Sequence, residues 1–353
     1  MSEGAKIKKL LETAAEHKAS DLHLMVGRPP TLRIDGQLVP IRGEDAFTAS
    51  ELESAILGIL GPNKKEILKE KLELDLSYEI NKMARFRINV FFEKENIAMA
   101  ARIIPDKIPT MEETLMPPIV ENMLNLKQGL ILVTGPTGCG KSTSLAVMVN
   151  EINKAKTEHI ITLEDPIEFI FESEKSMIAQ RELGRDMLSF GEGLKHILRQ
   201  DPDVIMVGEM RDLETIAATL TLAETGHLVL ATLHTQNAAQ TIDRIIDVFP
   251  PYQQDQVRVQ LSLSLRAVIS QRLLTHNGGG RIAAREIMLN NSAVSNLIRE
   301  NKIAQLRSVI QTSAKEGMIT LDQDLRRLYQ DGLVTEDEAM SHMMSPESLE
   351  KKK

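Results

Sequence analysis

The stretch Gly135-Pro136-Thr137-Gly138-Cys139-Gly140-Lys141-Ser142 matches the pattern G-x-x-x-x-G-K-[ST] at every fixed position, and it restricts the fold more than any other feature of the chain. Such a loop works only between a strand and a helix, where glycines let backbone N–H groups converge on phosphate at a helix N-terminus. The flanks agree. Residues 130–133 form an apolar run, and Leu145, Met148, Val149 and Ile152 recur at the spacing of one helical face. On this reading residues 135–143, Thr143 included, cradle phosphates, Lys141 contacts the β and γ phosphates, and Ser142 ligates magnesium. The alternative is a glycine-rich turn that happens to carry a lysine.

Further apolar runs at 159–163, 204–207 and 228–233 are each followed by a helical segment. That pattern predicts an α/β unit with a buried, mainly parallel sheet. Two of the runs end in carboxylates, Ile160-Ile161-Thr162-Leu163 in Glu164-Asp165 and Val204-Ile205-Met206-Val207-Gly208 in Glu209. Ligands of open parallel sheets lie beyond the carboxyl ends of the strands, so both acids are expected to face the γ-phosphate, one orienting water and one supporting magnesium. Acids at such places also serve as plain helix N-caps. His227 and His234 bracket the run 228–233. Their odd separation puts them on opposite faces of an ideal strand, so they do not form a metal pair, and spacing alone reads them as structural histidines.

The first ~100 residues, a domain-sized length, mix helical and strand patterns in the manner of an α+β module. Ile7, Leu10, Leu11 and Ala14 follow helical spacing, and Asp21-Leu22-His23-Leu24-Met25 alternates like a strand. Asp35-Gly36 predicts a hairpin turn between Leu32-Arg33-Ile34 and Leu38-Val39, and a second strand-rich stretch covers 85–104. Pro105, Pro109, Pro117 and Pro118 mark a linker. The expected organisation is an N-terminal domain at 1–104, a linker at 105–118, an ATPase domain at 119–290, a helical region at 291–344 and a polar tail at 345–353.

A net charge of -8 over 353 residues offers no overall positive field to a phosphate backbone, and the absence of Trp weakens any channel of stacked aromatics. Nucleic acid is therefore not an expected partner. No apolar run approaches the ~18 residues of a membrane span, and the start Met1-Ser2-Glu3-Gly4 lacks a signal-peptide core. A cytoplasmic location is expected. The single cysteine, Cys139, leaves no disulfide framework and no multi-cysteine zinc module. Its position near Lys141 at a helix N-terminus would lower its pKa and favour the thiolate; the plainer reading is a tolerated small residue.

These motifs resemble a known family, the type IV pilus retraction ATPases (PilT-like) within the wider secretion ATPases. The resemblance runs nearly end to end. It begins at Ala19-Ser20-Asp21-Leu22-His23-Leu24, Pro29-Pro30 and Arg33-Ile34-Asp35-Gly36. It continues through the acidic box Glu164-Asp165-Pro166-Ile167-Glu168-Phe169, then Leu198-Arg199-Gln200-Asp201-Pro202-Asp203-Val204, and the Walker B segment Val207-Gly208-Glu209-Met210-Arg211-Asp212. The histidine box spans 227–235 and is followed by Thr241-Ile242-Asp243-Arg244-Ile245-Ile246-Asp247-Val248-Phe249-Pro250. The resemblance implies a PAS-like N-terminal domain, a RecA-like ATPase domain, ATP and Mg2+ as ligands, and a homohexamer with nucleotide at its subunit interfaces. It implies Glu209 as general base, Glu164 as auxiliary acid and further metal candidate, His234 as sensor, and Arg85, Arg87 and Arg102 as arginines projected towards nucleotide. Without it, those arginines read as solvated strand-face charges.

The implied partner is a pilus platform protein of the inner membrane, reached from its cytoplasmic face, with a paralogous retraction ATPase as a further partner. The family motif Ala-Ile-Arg-Asn-Leu-Ile-Arg-Glu appears as Ala293-Val294-Ser295-Asn296-Leu297-Ile298-Arg299-Glu300, with Ser295 in place of a charged residue. The segment Leu265-Arg266-Ala267-Val268 with Gln271-Arg272-Leu273 stands closer to the accessory retraction paralogue. A pilus-extension or type II secretion ATPase is the nearest rival, but such proteins usually carry a further N-terminal domain and often four zinc-binding cysteines. A nucleic-acid motor would show salt-dependent DNA binding, and a low-turnover accessory subunit would show it in its hydrolysis rate.

Overall fold

A computed structural model describes residues 4–34, 36–80, 84–104 and 107–345. The chain separates into two compact units, Met1–Lys107 and Ile108–Lys353.

In the first unit six strands pair antiparallel: β1 (Asp21–Leu24), β2 (Thr31–Ile34), β3 (Gln37–Pro40), β4 (Glu73–Ile80), β5 (Ala84–Glu93) and β6 (Asn96–Ile104), in the order β3-β2-β1-β6-β5-β4. Alternation drives it. Phe86, Ile88 and Val90 of β5 are fully buried and meet Ile7, Leu10, Leu11 and Ala14 from helix Ala5–Glu16 in one core. Ile34 pairs with Gln37 across the expected hairpin, and Gly36 has φ of 82°; Asp35 lies outside the described residues. Strand β4 and helix Ala49–Leu57, which begins with a Thr48–Glu51 capping box, add to the elements read from the sequence.

The second unit is built on a seven-stranded sheet. Its strands are β7 (Gly129–Thr134), β8 (His159–Glu164), β9 (Met177–Glu182), β10 (Val204–Val207), β11 (Leu228–Leu233), β12 (Leu265–Thr275) and β13 (Arg281–Leu289), in the order β13-β12-β7-β11-β10-β8-β9. All neighbours run parallel except β12 and β13. Alternate residues feed two different cores: Leu130, Leu132, Val229 and Ala231 join one, Ile131, Val133, Leu228 and Leu230 the other. The sheet is therefore covered on both faces, which is why its strands read as continuous apolar runs rather than alternating ones.

Strands β9, β12 and β13 extend the sheet beyond the runs noticed in the sequence. In β9 most side chains are half-exposed and the second half, Gln180-Arg181-Glu182, is polar, so its apolar run is too short to be noticed as a strand at a sheet edge. Most of the proline-marked stretch packs within the second unit, where Met111 and Met116 are buried and Arg285 donates to the Thr114 and Leu115 carbonyls at 3.0 Å each. Pro105 and Asp106, and the tail from 346 onward, lie outside the described residues. After Asn290 come helices Ser292–Arg299, Leu306–Thr312, Leu321–Gln330 and Glu336–His342. Among the described residues no helix is long and apolar enough to cross a membrane.

Candidate functional site

Strand order decides which chain segments meet. Strands β7, β11 and β10 are consecutive neighbours and all parallel, so their carboxyl ends lie side by side. Those ends carry the phosphate loop, His234 and Glu209.

The loop closes onto helix Lys141–Ala155, whose N-cap is Gly140 with φ of 87°. Only glycine adopts that conformation without strain. At Gly135, with φ of 147°, a Cβ would run into the Gln271 carbonyl and the Cys139 sulfur. Lys141 is 9% exposed and folds back on the loop, donating to the Gly135 carbonyl at 2.9 Å and the Pro136 carbonyl at 3.1 Å. Burial lowers its pKa, opposed by the carboxylates of Glu209 and Glu168. Glu168 belongs to the acidic box, and its charge acts on Lys141. Ser142 and Thr143 follow Lys141 in the first helical turn, where backbone N–H groups lack intrahelical acceptors.

His234 joins the two halves of the site. Its Nδ1 lies 3.5 Å from Lys141 Nζ and its Nε2 lies 3.2 Å from Glu209 Oε2. An ammonium only donates, so a hydrogen bond from Lys141 assigns Nδ1 as its acceptor and Nε2–H as the donor to the carboxylate. Glu209 also pairs with the Arg211 guanidinium, a contact that strand spacing did not reveal. At the opposite end of β11, His227 Nδ1 lies 3.1 Å from the Leu222 carbonyl, a local contact well suited to a structural histidine.

Glu164 is buried differently. It is 6% exposed, and its Oε1 accepts from Thr162 Oγ1 at 2.6 Å and from Gln180 Nε2 at 3.0 Å on the neighbouring β9. Burial raises its pKa, opposed by those two hydrogen bonds. Its Cα lies 3.4 Å from the position of a Cβ on Gly208, so its backbone packs against the residue before Glu209 while its carboxyl turns along the sheet.

Cys139 requires a correction. Where a lowered pKa was expected, the side chain is only 3% exposed and burial pushes the thiol up, outweighing the nearby Lys141 charge. The sulfur packs beside Gly135 as a small apolar group. Outside the loop, Pro136, Thr137, Gly138 and Cys139 form one wall of a cleft of about 330 Å³, with Arg272 and Leu273 of β12 on its lining together with Gln236 and His342.

Arg85, Arg87 and Arg102 lie on β5 and β6 of the first unit, where Arg87 is the register partner of Arg102. Arg102 Nε is 2.8 Å from Asp21 Oδ1, and Asp21 is in turn opposite Arg102 on β1.

Residues 4–341 match the family model described as type II/IV secretion system protein. The chain is 48% identical to the type IV pilus retractation ATPase PilT of Pseudomonas aeruginosa over 97% of its own length and 99% of the relative's. It is also 48% identical to a twitching motility protein of Neisseria gonorrhoeae, over 91% of this chain and 86% of that one. Among solved structures, the crystal structure of the pilus retraction motor PilT with bound ADP superposes with a TM-score of 0.91 at 44% identity, covering 98% of this chain and 99% of the other.

Proposed function

The chain belongs to the family of type II/IV secretion system proteins, and from that premise we propose an ATP-hydrolysing motor that drives retraction of type IV pili. One observation carries the reading: Lys141, His234 and Glu209 form a continuous chain of contacts across the ends of adjacent parallel strands. A buried lysine beside a general-base candidate, linked by a histidine, suits a γ-phosphoryl group and an attacking water between them.

Residues 135–143 hold the triphosphate, with Lys141 leaving the loop carbonyls for the β and γ phosphates. Glu209 orients the water and takes its proton. His234, proton on Nε2, reports the occupancy of the γ position to Glu209. Glu164 supports Glu209 from behind Gly208. The Ser142 hydroxyl is an oxygen of the kind Mg2+ takes and would hold the ion together with phosphate oxygens, and when bound the ion would supply charge neutralisation on the transferring group. The cradle fits the phosphates themselves: it offers a buried cation, open space beside Gly138 and the positive end of a helix.

The N-terminal unit is read as PAS-like and the larger unit as RecA-like, with 119–290 as the ATPase domain and 291–344 as its helical extension. The working form is a homohexamer at the cytoplasmic face of the inner membrane, engaging a pilus platform protein, and Arg85, Arg87 and Arg102 are candidates for completing nucleotide sites. A paralogous retraction ATPase is a further proposed partner. Deleting the gene in its own organism and counting surface pili tests the reading: excess pili with lost twitching are expected, and loss of pili would indicate extension instead.

A further inference from the structure

Strand β12 runs beside β7 with Ile269 opposite Val133 and Ser270 opposite Thr134, which brings the next residue, Gln271, level with the phosphate loop. Gln271 is 2% exposed, and both ends of its carboxamide are occupied. Its Nε2 donates to the Cys139 carbonyl at 2.7 Å, and its Oε1 accepts from Ser144 Oγ at 2.9 Å. The first partner immediately precedes Gly140 and the second lies in the first turn of the helix after the loop. The Gln271 backbone carbonyl also abuts Gly135, so one residue of a neighbouring strand touches the beginning and the end of the loop.

We propose that Gln271 is a positioning residue for ATP, whose carboxamide holds the loop between Cys139 and Ser144 in the shape that receives the triphosphate. A glycine-rich segment loses much conformational entropy when it is ordered. If the fold imposes that order beforehand, the nucleotide does not have to, and affinity rises without any contact between Gln271 and ligand. The chemistry calls for an amide. A carboxylate would set an acceptor against the Cys139 carbonyl, and an aliphatic side chain would leave a buried carbonyl and a buried hydroxyl unpaired. The proposal rests on residues 135–143 being the triphosphate site.

The test compares wild type with Gln271→Leu, Ser144→Ala and the double variant. KM and kcat for ATP, affinity for a fluorescent ATP analogue, and melting temperature without nucleotide are measured for each. Loss of a preorganising contact removes binding shared by ground and transition states, so KM should rise with little change in kcat. The expected result for Gln271→Leu is about a tenfold rise in KM with kcat within about threefold. Ser144→Ala should raise KM by about threefold, and the double variant should be no worse than Gln271→Leu, since both act on one clamp. An unchanged KM, whether alone, with a lowered melting temperature or with a fallen kcat, would overturn the proposal. Should Gln271→Leu fail to fold, Ser144→Ala decides by the same criterion. Wild-type protein that neither binds nor hydrolyses ATP would remove the triphosphate-site assignment itself, whereas normal wild-type binding with unaltered variants removes only the role of Gln271.

Discussion

At the scale of single residues, two glutamates that looked alike in the sequence prove to sit in opposite environments. Glu209 faces His234 Nε2 at 3.2 Å and pairs with Arg211, so it has the partners of a working carboxylate. Glu209→Gln keeps the shape but cannot accept a proton, so the variant should bind ATP and turn over ~10²–10⁴-fold more slowly; turnover within a few-fold of wild type would move the base elsewhere. Glu164 has its pKa raised, chiefly by burial. An acid with a folded pKa above its unfolded value of about 4.3 keeps its proton in the fold between the two, so stability falls as pH rises through that window. Glu164→Gln removes the ionisation and retains an acceptor for Thr162 and Gln180. The variant should therefore match wild type in melting temperature near pH 4, gain on it as pH rises from there to the folded pKa, and gain no more above it. A relative loss on going to high pH would show that the buried carboxylate is stabilised by something other than these two hydrogen bonds.

At the scale of elements, legibility followed burial. Strands β7, β8, β10 and β11 could be read directly because both faces are covered and each is a run of apolar residues. The phosphate loop, Glu209 and the position of His234 after β11 were equally plain, since each sits at the end of one of those runs. The contacts of Gln271, Gln180 and Glu286 were not legible, because they join residues that lie far apart in the chain and depend on strand order, which no local pattern encodes. Glu286 is a case with consequences. Its Oε1 accepts from the Ala238 amide at 2.9 Å, at the start of helix Ala238–Asp247, where Asn237 also caps the helix through Gln240 N. This helix follows the His234 loop directly. Glu286→Ala leaves the Ala238 N–H buried without its acceptor and should cost about 1–3 kcal/mol in chemical unfolding. Glu286→Gln keeps an acceptor and should lie close to wild type; equal losses in both variants would mean that the charge, not the cap, is what the helix needs.

For the whole molecule, Arg85, Arg87 and Arg102 of the first unit are proposed to serve a site whose identified parts all belong to the second. Asp21, Arg102 and Arg87 are successive register partners across β1, β6 and β5, so they share one face of the N-terminal sheet. Arg102 keeps 70% of its side chain exposed although it is paired with Asp21 at 2.8 Å, which leaves guanidinium surface for another anion. In a ring, that anion is proposed to be nucleotide held by a different copy of the chain. Arg102→Ala and Glu209→Gln would then damage opposite sides of one composite site, and each homogeneous ring should hydrolyse ATP poorly. Mixing the two variants creates some interfaces where an intact arginine face meets an intact Glu209, so the mixture should exceed the summed activity of the separate proteins. Because Arg102→Ala also deprives Asp21 of its closest cation, the melting temperature of the variant and its assembly by size-exclusion chromatography must be measured alongside. Mixed rings that assemble normally and remain as inactive as their parents would show that Arg102 does not act between subunits, and that its pairing with Asp21 is a structural contact within the N-terminal sheet.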